Sequence, residues 1–193
     1  MSKRKIFLLA GHHLDESGRG TGAHGNGYDE AKLAIELRDA VTREILTIDP
    51  TREVHNDTSD YEPNRTVLQK LKGLFAKNDL LVDLHWNAFT NPRATGVEVF
   101  VPEHPSTIEL TLASQIAQML ASQMGLPLRG ETRGIKGVKV ESQSQHPTLL
   151  VMRPNCENVL IEVCFITNAG DMAAYQRRKD DIVKKLAQIL TAL

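Results

Sequence analysis

Two hydrophobic periods run through the chain, and they sort it into alternating elements. Ile6-Phe7-Leu8-Leu9 lies between charged residues and Gly11, too short and too uniformly apolar for a helix face. It predicts a buried strand over residues 5–10. From Asp29 the period lengthens: Leu33, Leu37, Ala40, Val41 and Ile45 share one face of a helix. Asp29 and Glu30 suit its positive end, and Asp49-Pro50 stops it. A second helix is expected over residues 64–76, with Val67, Leu71, Leu74 and Phe75 inward. A third spans 106–124, with Leu112, Ile116, Met119 and Leu120 inward and Gly125-Leu126-Pro127 as its stop. The last follows Asp171 and carries Ile182, Val183, Leu186, Ile189, Leu190 and Leu193. Between these helices, residues 53–55, 79–85, 96–101, 148–152 and 158–164 read as strands, and 129–137 as loop. The alternation predicts an α/β fold in a single three-layer domain. Its sheet is mostly parallel or mixed, twisted and of about six strands, with helices on both faces.

Composition narrows the function classes. The 193 residues are 41% hydrophobic and 24% charged, the make-up of one ordinary globular domain able to bury a full core. A formal charge of −1 without a sustained basic stripe gives no footing for nucleic acid or an anionic membrane surface. No apolar run approaches the ~18 residues of a membrane span, so no membrane insertion is expected. The basic start and the apolar run 6–10 are too short together for a signal peptide, so synthesis in the cytoplasm without one is expected. Cys156 and Cys164 lie eight residues apart. At ~3.3 Å per extended residue they are out of bonding range, and free thiols are expected.

The candidate chemistry sits at strand ends, where ligands gather in open α/β sheets. Of seven histidines, His12, His13 and His85 directly follow strand-like runs, and Glu30 opens a helix. Glu162 closes the run Val159-Leu160-Ile161, where a carboxylate is costly unless paired, metal-bound or raised in pKa. Cys164 is expected on the same strand face as Glu162, as packing. Two imidazoles and a carboxylate suit an open zinc site, and a further glutamate suits a general base. Gly20-Thr21-Gly22-Ala23-His24-Gly25 fits a dinucleotide-binding pattern, but it starts ten residues after Ala10, not at the strand's end as that pattern requires. Ser142, Ser144 and His146 form no nucleophile turn.

Taken in order, these stretches resemble the zinc-dependent N-acetylmuramoyl-L-alanine amidases of the Amidase_3 family. The likeness lies in Gly11-His12, the loop from Gly18 to Glu30, His85-Trp86-Asn87-Ala88, Arg133-Gly134-Ile135-Lys136 and Leu150-Val151-Met152-Arg153, and then Val159 through Asn168 with Asp171. The resemblance implies one zinc per chain held by His12, Glu30 and His85, with His13 as the rival ligand and Glu162 as the catalytic glutamate. Asn87, Lys136 and Arg153 are its candidate substrate contacts. Trp86 and Cys164 depart from the family's pattern and are expected to reshape the substrate groove. The implied substrate is peptidoglycan or a muropeptide, cut between N-acetylmuramic acid and L-alanine in the manner of an endolysin, after lysis or non-classical export. Residues 1–193 are then one catalytic domain without a separate wall-binding domain. The competing readings are a zinc carboxypeptidase or deacetylase acting on another amide, and a non-catalytic wall-binding module.

Overall fold

The computed structural model describes residues 3–146 and 148–193. In chain order the elements are β1 (Ile6–Ala10), β2 (His24–Gly25), β3 (Tyr28–Asp29), α1 (Glu30–Ile48), β4 (Val54–His55), α2 (Asn64–Leu71), β5 (Leu80–Asn87) and β6 (Glu98–Val101). They continue with α3 (Thr107–Met124), β7 (Glu131–Thr132), β8 (Ile135–Lys136), β9 (Val138–Val140), β10 (Glu157–Phe165) and α4 (Ala169–Thr191). The main sheet has six strands in the order β4-β1-β5-β10-β6-β9. Strands β4, β1, β5 and β10 run parallel, β6 runs antiparallel to β10, and β9 parallel to β6. The α/β sandwich expected from the alternation is therefore the one formed.

Strand alternation divides the core in two. Leu8, Ala10, Val82, Leu84, Trp86, Val159 and Ile161 point to one face, into a core shared with Leu37 of α1, Ile116 of α3 and Leu186 of α4. Phe7, Leu9, Leu81, Leu160 and Phe100 point to the other, against Val67 and Leu71 of α2 and against Val151 and Met152. Good caps set α3 and α4: Ser106 and Glu109 form a reciprocal capping box, and the Asn168 side chain accepts from the N–H groups of Gly170 and Asp171.

Three boundaries differ from the sequence expectation. Residues 148–152 are not a strand: Leu150–Met152 is a 3-10 turn closed by Met152 N–H to the Leu149 carbonyl at 3.0 Å. Val151 and Met152 are both buried, a pattern that strict alternation does not allow. The sixth strand is instead Val138–Val140, only three residues long and directly after Gly137, inside a segment rich in turns. Helix α2 stops at Leu71, ahead of Gly73, a poor helix former, so that Leu74 is left exposed. Finally, β10 runs through Glu162 to Phe165, with a bulge in its pairing to β5 between those two residues. The bulge turns Cys164 onto the helix-covered face with Val163 and Ile166, away from Glu162. Both cysteines are free thiols.

Candidate metal centre

Strand pairing delivers His12 and His85 to one point. Ala10 of β1 is in register with Leu84 of β5, and the Gly11 N–H donates to the Leu84 carbonyl at 2.9 Å. Gly11 therefore passes directly beside the His85 ring: a Cβ there would lie 2.1 Å from Nε2. Only glycine fits. The loop that follows returns at Glu30, the first residue of α1, and Gly22 (φ +83°) lets it pass, since a Cβ there would meet the His12 ring at 2.6 Å and Glu30 Oε2 at 2.7 Å.

The three side chains converge. His12 Nε2 lies 3.4 Å from Glu30 Oε2, and His85 Nδ1 lies 3.1 Å from Glu30 Oε1. One ligand atom from each residue falls within 4.8 Å of the others. A tetrahedral ion with bonds of ~2.0–2.1 Å spaces its ligands ~3.4 Å apart, so the donor set fits zinc in both chemistry and span. Backbone groups fix the carboxylate: the Trp86 N–H donates to Oε1 at 3.0 Å and the Ala23 N–H to Oε2 at 2.8 Å.

Behind His85 stands buried Asp83, whose Oδ2 is 3.0 Å from His85 Nε2 and which accepts from the Asn64 amide at 3.1 and 3.3 Å. In the neutral ring, with Nε2–H given to Asp83, Nδ1 is the nitrogen left free to ligate a metal beside Glu30 and His12. Charges in the metal-free cluster follow from this packing. Burial would lower His85, but the charge and hydrogen bond of Asp83, then Glu30, hold it well above the ordinary histidine value. Burial would raise Glu30, and the hydrogen bond and charge of His85, then His12, hold it lower instead. His12 is lowered by burial and then by the neighbouring His85.

One strand over, Glu162 is in register with His85 on one side and Glu98 on the other. Its Oε2 is sealed from solvent and has no hydrogen-bond partner, and burial pushes the carboxyl up to about 8. Glu98 is buried, accepts from the Asn87 amide at 2.6 Å and lies 2.8 Å from Lys139 Nζ. Arg129 stacks its guanidinium over Phe165 at 4.8 Å. These groups, Asp83 and Asn64 among them, line an open cavity of about 920 Å³ together with His12, Glu30 and His85.

The cavity gathers five of the sequence candidates: His12, Glu30, His85, Asn87 and Glu162. It does not gather His13, Lys136 or Arg153. His13 turns aside, its Nδ1 3.3 Å from the Thr21 hydroxyl. Lys136 is exposed on the β7–β8 hairpin. Arg153 pairs with Glu141 and borders a separate cleft of about 430 Å³ beside α2, with Arg65, Lys72 and Phe75. Trp86 borders the cavity but packs its ring on Tyr175 in the core, at 5.2 Å between centroids. Sequence reasoning passed over Asp83 and Glu98, although each stands at the period-2 spacing that puts it on the site face, two residues from His85 and Phe100. Arg129 and Lys139 come from irregular chain and carry no such periodic mark.

A mostly parallel α/β sheet with a histidine–glutamate–histidine cluster and a sealed glutamate at its strand ends has the donor set that a metal-dependent hydrolase requires. The Amidase_3 family model, described as N-acetylmuramoyl-L-alanine amidase, matches residues 6–192, and the chain belongs to that family. Among solved structures it is similar to a putative N-acetylmuramoyl-L-alanine amidase from Neisseria meningitidis (TM-score 0.74, 24% identity, covering 97% of this chain and 94% of that one). It is also similar to the catalytic domain of the CD27L endolysin targeting Clostridia difficile (TM-score 0.68, 22% identity, 97% and 96% covered). A third is the catalytic domain of CwlV, an N-acetylmuramoyl-L-alanine amidase from Bacillus (Paenibacillus) polymyxa var. colistinus (TM-score 0.69, 19% identity, 97% and 94% covered). At these identities the likeness is one of fold. Comparison with curated proteins finds no match.

Proposed function

We propose that this protein is a zinc-dependent peptidoglycan hydrolase that cuts the amide between N-acetylmuramic acid and the L-alanine of the stem peptide. In this reading residues 1–193 act as one catalytic domain, His12, Glu30 and His85 hold one zinc, and Glu162 is the catalytic glutamate. The observation that carries it is the unpartnered Glu162 Oε2, sealed beside the convergent donors at the floor of the cavity. Family membership supports the bond and the substrate.

Zinc, when bound, supplies Lewis acidity, polarising the scissile carbonyl and lowering the pKa of a water toward ~7. The chain's own residues do the rest. Asp83 holds the Nε2 proton of His85 and so presents Nδ1 as the ligand atom. The N–H groups of Ala23 and Trp86 orient Glu30. Glu162 accepts the proton of the attacking water in its carboxylate form, which a neighbouring cation favours against burial. It returns that proton to the departing amine. Asn87, held by Glu98, presents its amide to the cavity as a substrate contact. In this reading the protein acts on the cell wall. No described helix is long and apolar enough to cross a membrane.

Elemental analysis and digestion of purified peptidoglycan test the proposal together. The wild type should carry about one zinc per chain. Substituting His12, Glu30 or His85 with alanine should remove the metal, and His13→Ala should keep it. Digestion should expose new alanine amino termini, and Glu162→Gln should retain zinc while losing ~10²–10⁴-fold in kcat. A wild type that frees no alanine amine, or a Glu162→Gln variant that turns over normally, would sink it.

A further inference from the structure

On the cavity wall beyond Glu162, two cations converge on one buried carboxylate. Lys139 Nζ lies 2.8 Å from Glu98 Oε2, and Arg129 Nε lies 3.4 Å from the same atom. Both side chains come from the base of the β7–β8 hairpin, which is tied to β6 by Arg129 N–H to the Val97 carbonyl and by Val99 N–H to the Gly137 carbonyl. Room is kept for them. A Cβ on Gly96 (φ +118°) would lie 2.8 Å from Arg129, and one on Gly130 (φ +73°) 2.6 Å from Lys139. Aromatic faces hold the heads in place, Phe165 under the guanidinium at 4.8 Å and Phe100 under the ammonium at 5.4 Å.

The charges do not balance. Glu98 already has the Asn87 amide and the Lys139 ammonium, so Arg129 is a second cation on one carboxylate, on a wall open to the cavity. Donors are spare as well. Arg129 uses Nη1 on the Thr95 carbonyl at 3.2 Å, while its Nε is without an aligned acceptor. A guanidinium carries five N–H donors and an ammonium three, so both heads can still engage an oxyanion. Asn64–Asp83 and Arg38–Asp57 are saturated by comparison, and the Arg153 cleft lies apart from the chemistry.

We propose that Arg129 and Lys139 form a carboxylate-binding subsite that selects the stem peptide by the free carboxylate on the residue following L-alanine. The inference rests on the amidase reading and adds a substrate preference to it. The distances agree. Glu162 and Glu98 face each other across one strand spacing of ~4.8 Å, and an extended peptide advances ~3.3 Å per residue. A substrate with its scissile amide at Glu162 therefore reaches the two cations within one or two residues. The pair selects an anion, because a carboxamide in the same place offers one neutral acceptor and brings N–H groups against the cations.

Two muropeptides that differ only in a free carboxylate or a carboxamide on that second stem residue provide the test, with alanine-amine release as the readout. The wild type should favour the carboxylate at least tenfold in kcat/KM, expressed in KM rather than kcat. Arg129→Gln and Lys139→Gln should each cut that preference to within about threefold of unity, and Arg129→Lys should restore part of it, at matched zinc content and melting temperature. Wild-type cleavage of both substrates at one rate overturns the subsite and leaves the amidase reading standing. So does a preference that survives both glutamine variants. Cleavage of neither substrate overturns the amidase reading and the subsite with it.

Discussion

On the sheet face turned to α1, α3 and α4, apolar residues run the full length of the central strands: Leu8 and Ala10, then Val82, Leu84 and Trp86, then Val159, Ile161 and Val163. On the face turned to α2 they stop halfway. Phe7, Leu9, Leu81 and Leu160 give way to Asp83, His85, Asn87 and Glu162 at the strand ends. The same strands with the same alternation carry both, so the difference is one of side chains alone. The first face holds the fold together through burial. The second sets ionisable groups where burial is costly, and Asp83, His85 and Glu30 offset that cost by pairing with one another. Glu162 is the exception: among the described residues its Oε2 has no hydrogen-bond partner and no cation is in contact with it.

That exception gives the largest expected effect on stability. In the metal-free protein burial lifts the Glu162 carboxyl from 4.5 to about 8; His85 opposes the rise, and Glu30, Glu98 and Asp83 add to it. Below about pH 4.5 both folded and unfolded chains carry the proton and Glu162 imposes no penalty. Between 4.5 and about 8 the folded chain keeps a proton that the unfolded chain releases, so stability falls as pH rises; above 8 the loss is constant. Glu162→Gln removes this term. Chelator-treated Glu162→Gln should unfold at higher denaturant than chelator-treated wild type at pH 8, by up to ~5 kcal/mol, with no gap at pH 4. A gap that is independent of pH would mean that Glu162 is not the uncompensated carboxyl of this face.

The opposite face should respond in the opposite way. Leu8 is fully buried among apolar neighbours. Leu8→Ala should destabilise by ~2–5 kcal/mol through lost burial and the cavity it leaves. Zinc per folded chain should stay at the wild-type value, because Leu8 points away from the cluster. Denaturant titration beside elemental analysis reads both. Loss of metal from a protein that still folds would show the two faces to be coupled.

The sequence displayed the helix-covered face in full and the site face in part, for a physical reason. Period-2 and period-3.6 patterns mark positions that bury apolar groups, so β1, β5, β10 and all four helices could be read directly. His12, Glu30, His85 and Glu162 could be read because each interrupts or ends such a pattern with an ionisable group. Val138–Val140 is too short to show a period, and residues 148–152 are apolar without alternating, so a strand was missed in one place and wrongly expected in the other. Arg129 and Lys139 reach the cavity only because Gly96 and Gly130 leave space for them, a relation between residues distant in sequence or in different turns. Cys164 was assigned to the wrong face because a bulge changes the alternation without changing the residue order.

Asp83 separates the two faces most finely, since it is as buried as a core residue yet borders the cavity behind His85. If it were only a filled core position, an isosteric neutral replacement would leave metal binding alone. Its Oδ2 sits 3.0 Å from His85 Nε2, however, and a carboxylate there fixes the tautomer and raises the basicity of the opposite nitrogen. Asp83→Asn should therefore weaken zinc binding ~10–100-fold in competition with a chromophoric chelator. Asn64→Ala, which frees the Asp83 carboxylate from its amide clamp without removing its charge, should weaken it less. Asp83→Glu should recover part of the loss by restoring the charge at a different reach. An Asp83→Asn protein that binds zinc as tightly as wild type would reduce this carboxylate to packing and leave His85 to be oriented by Gly11 and Glu30 alone.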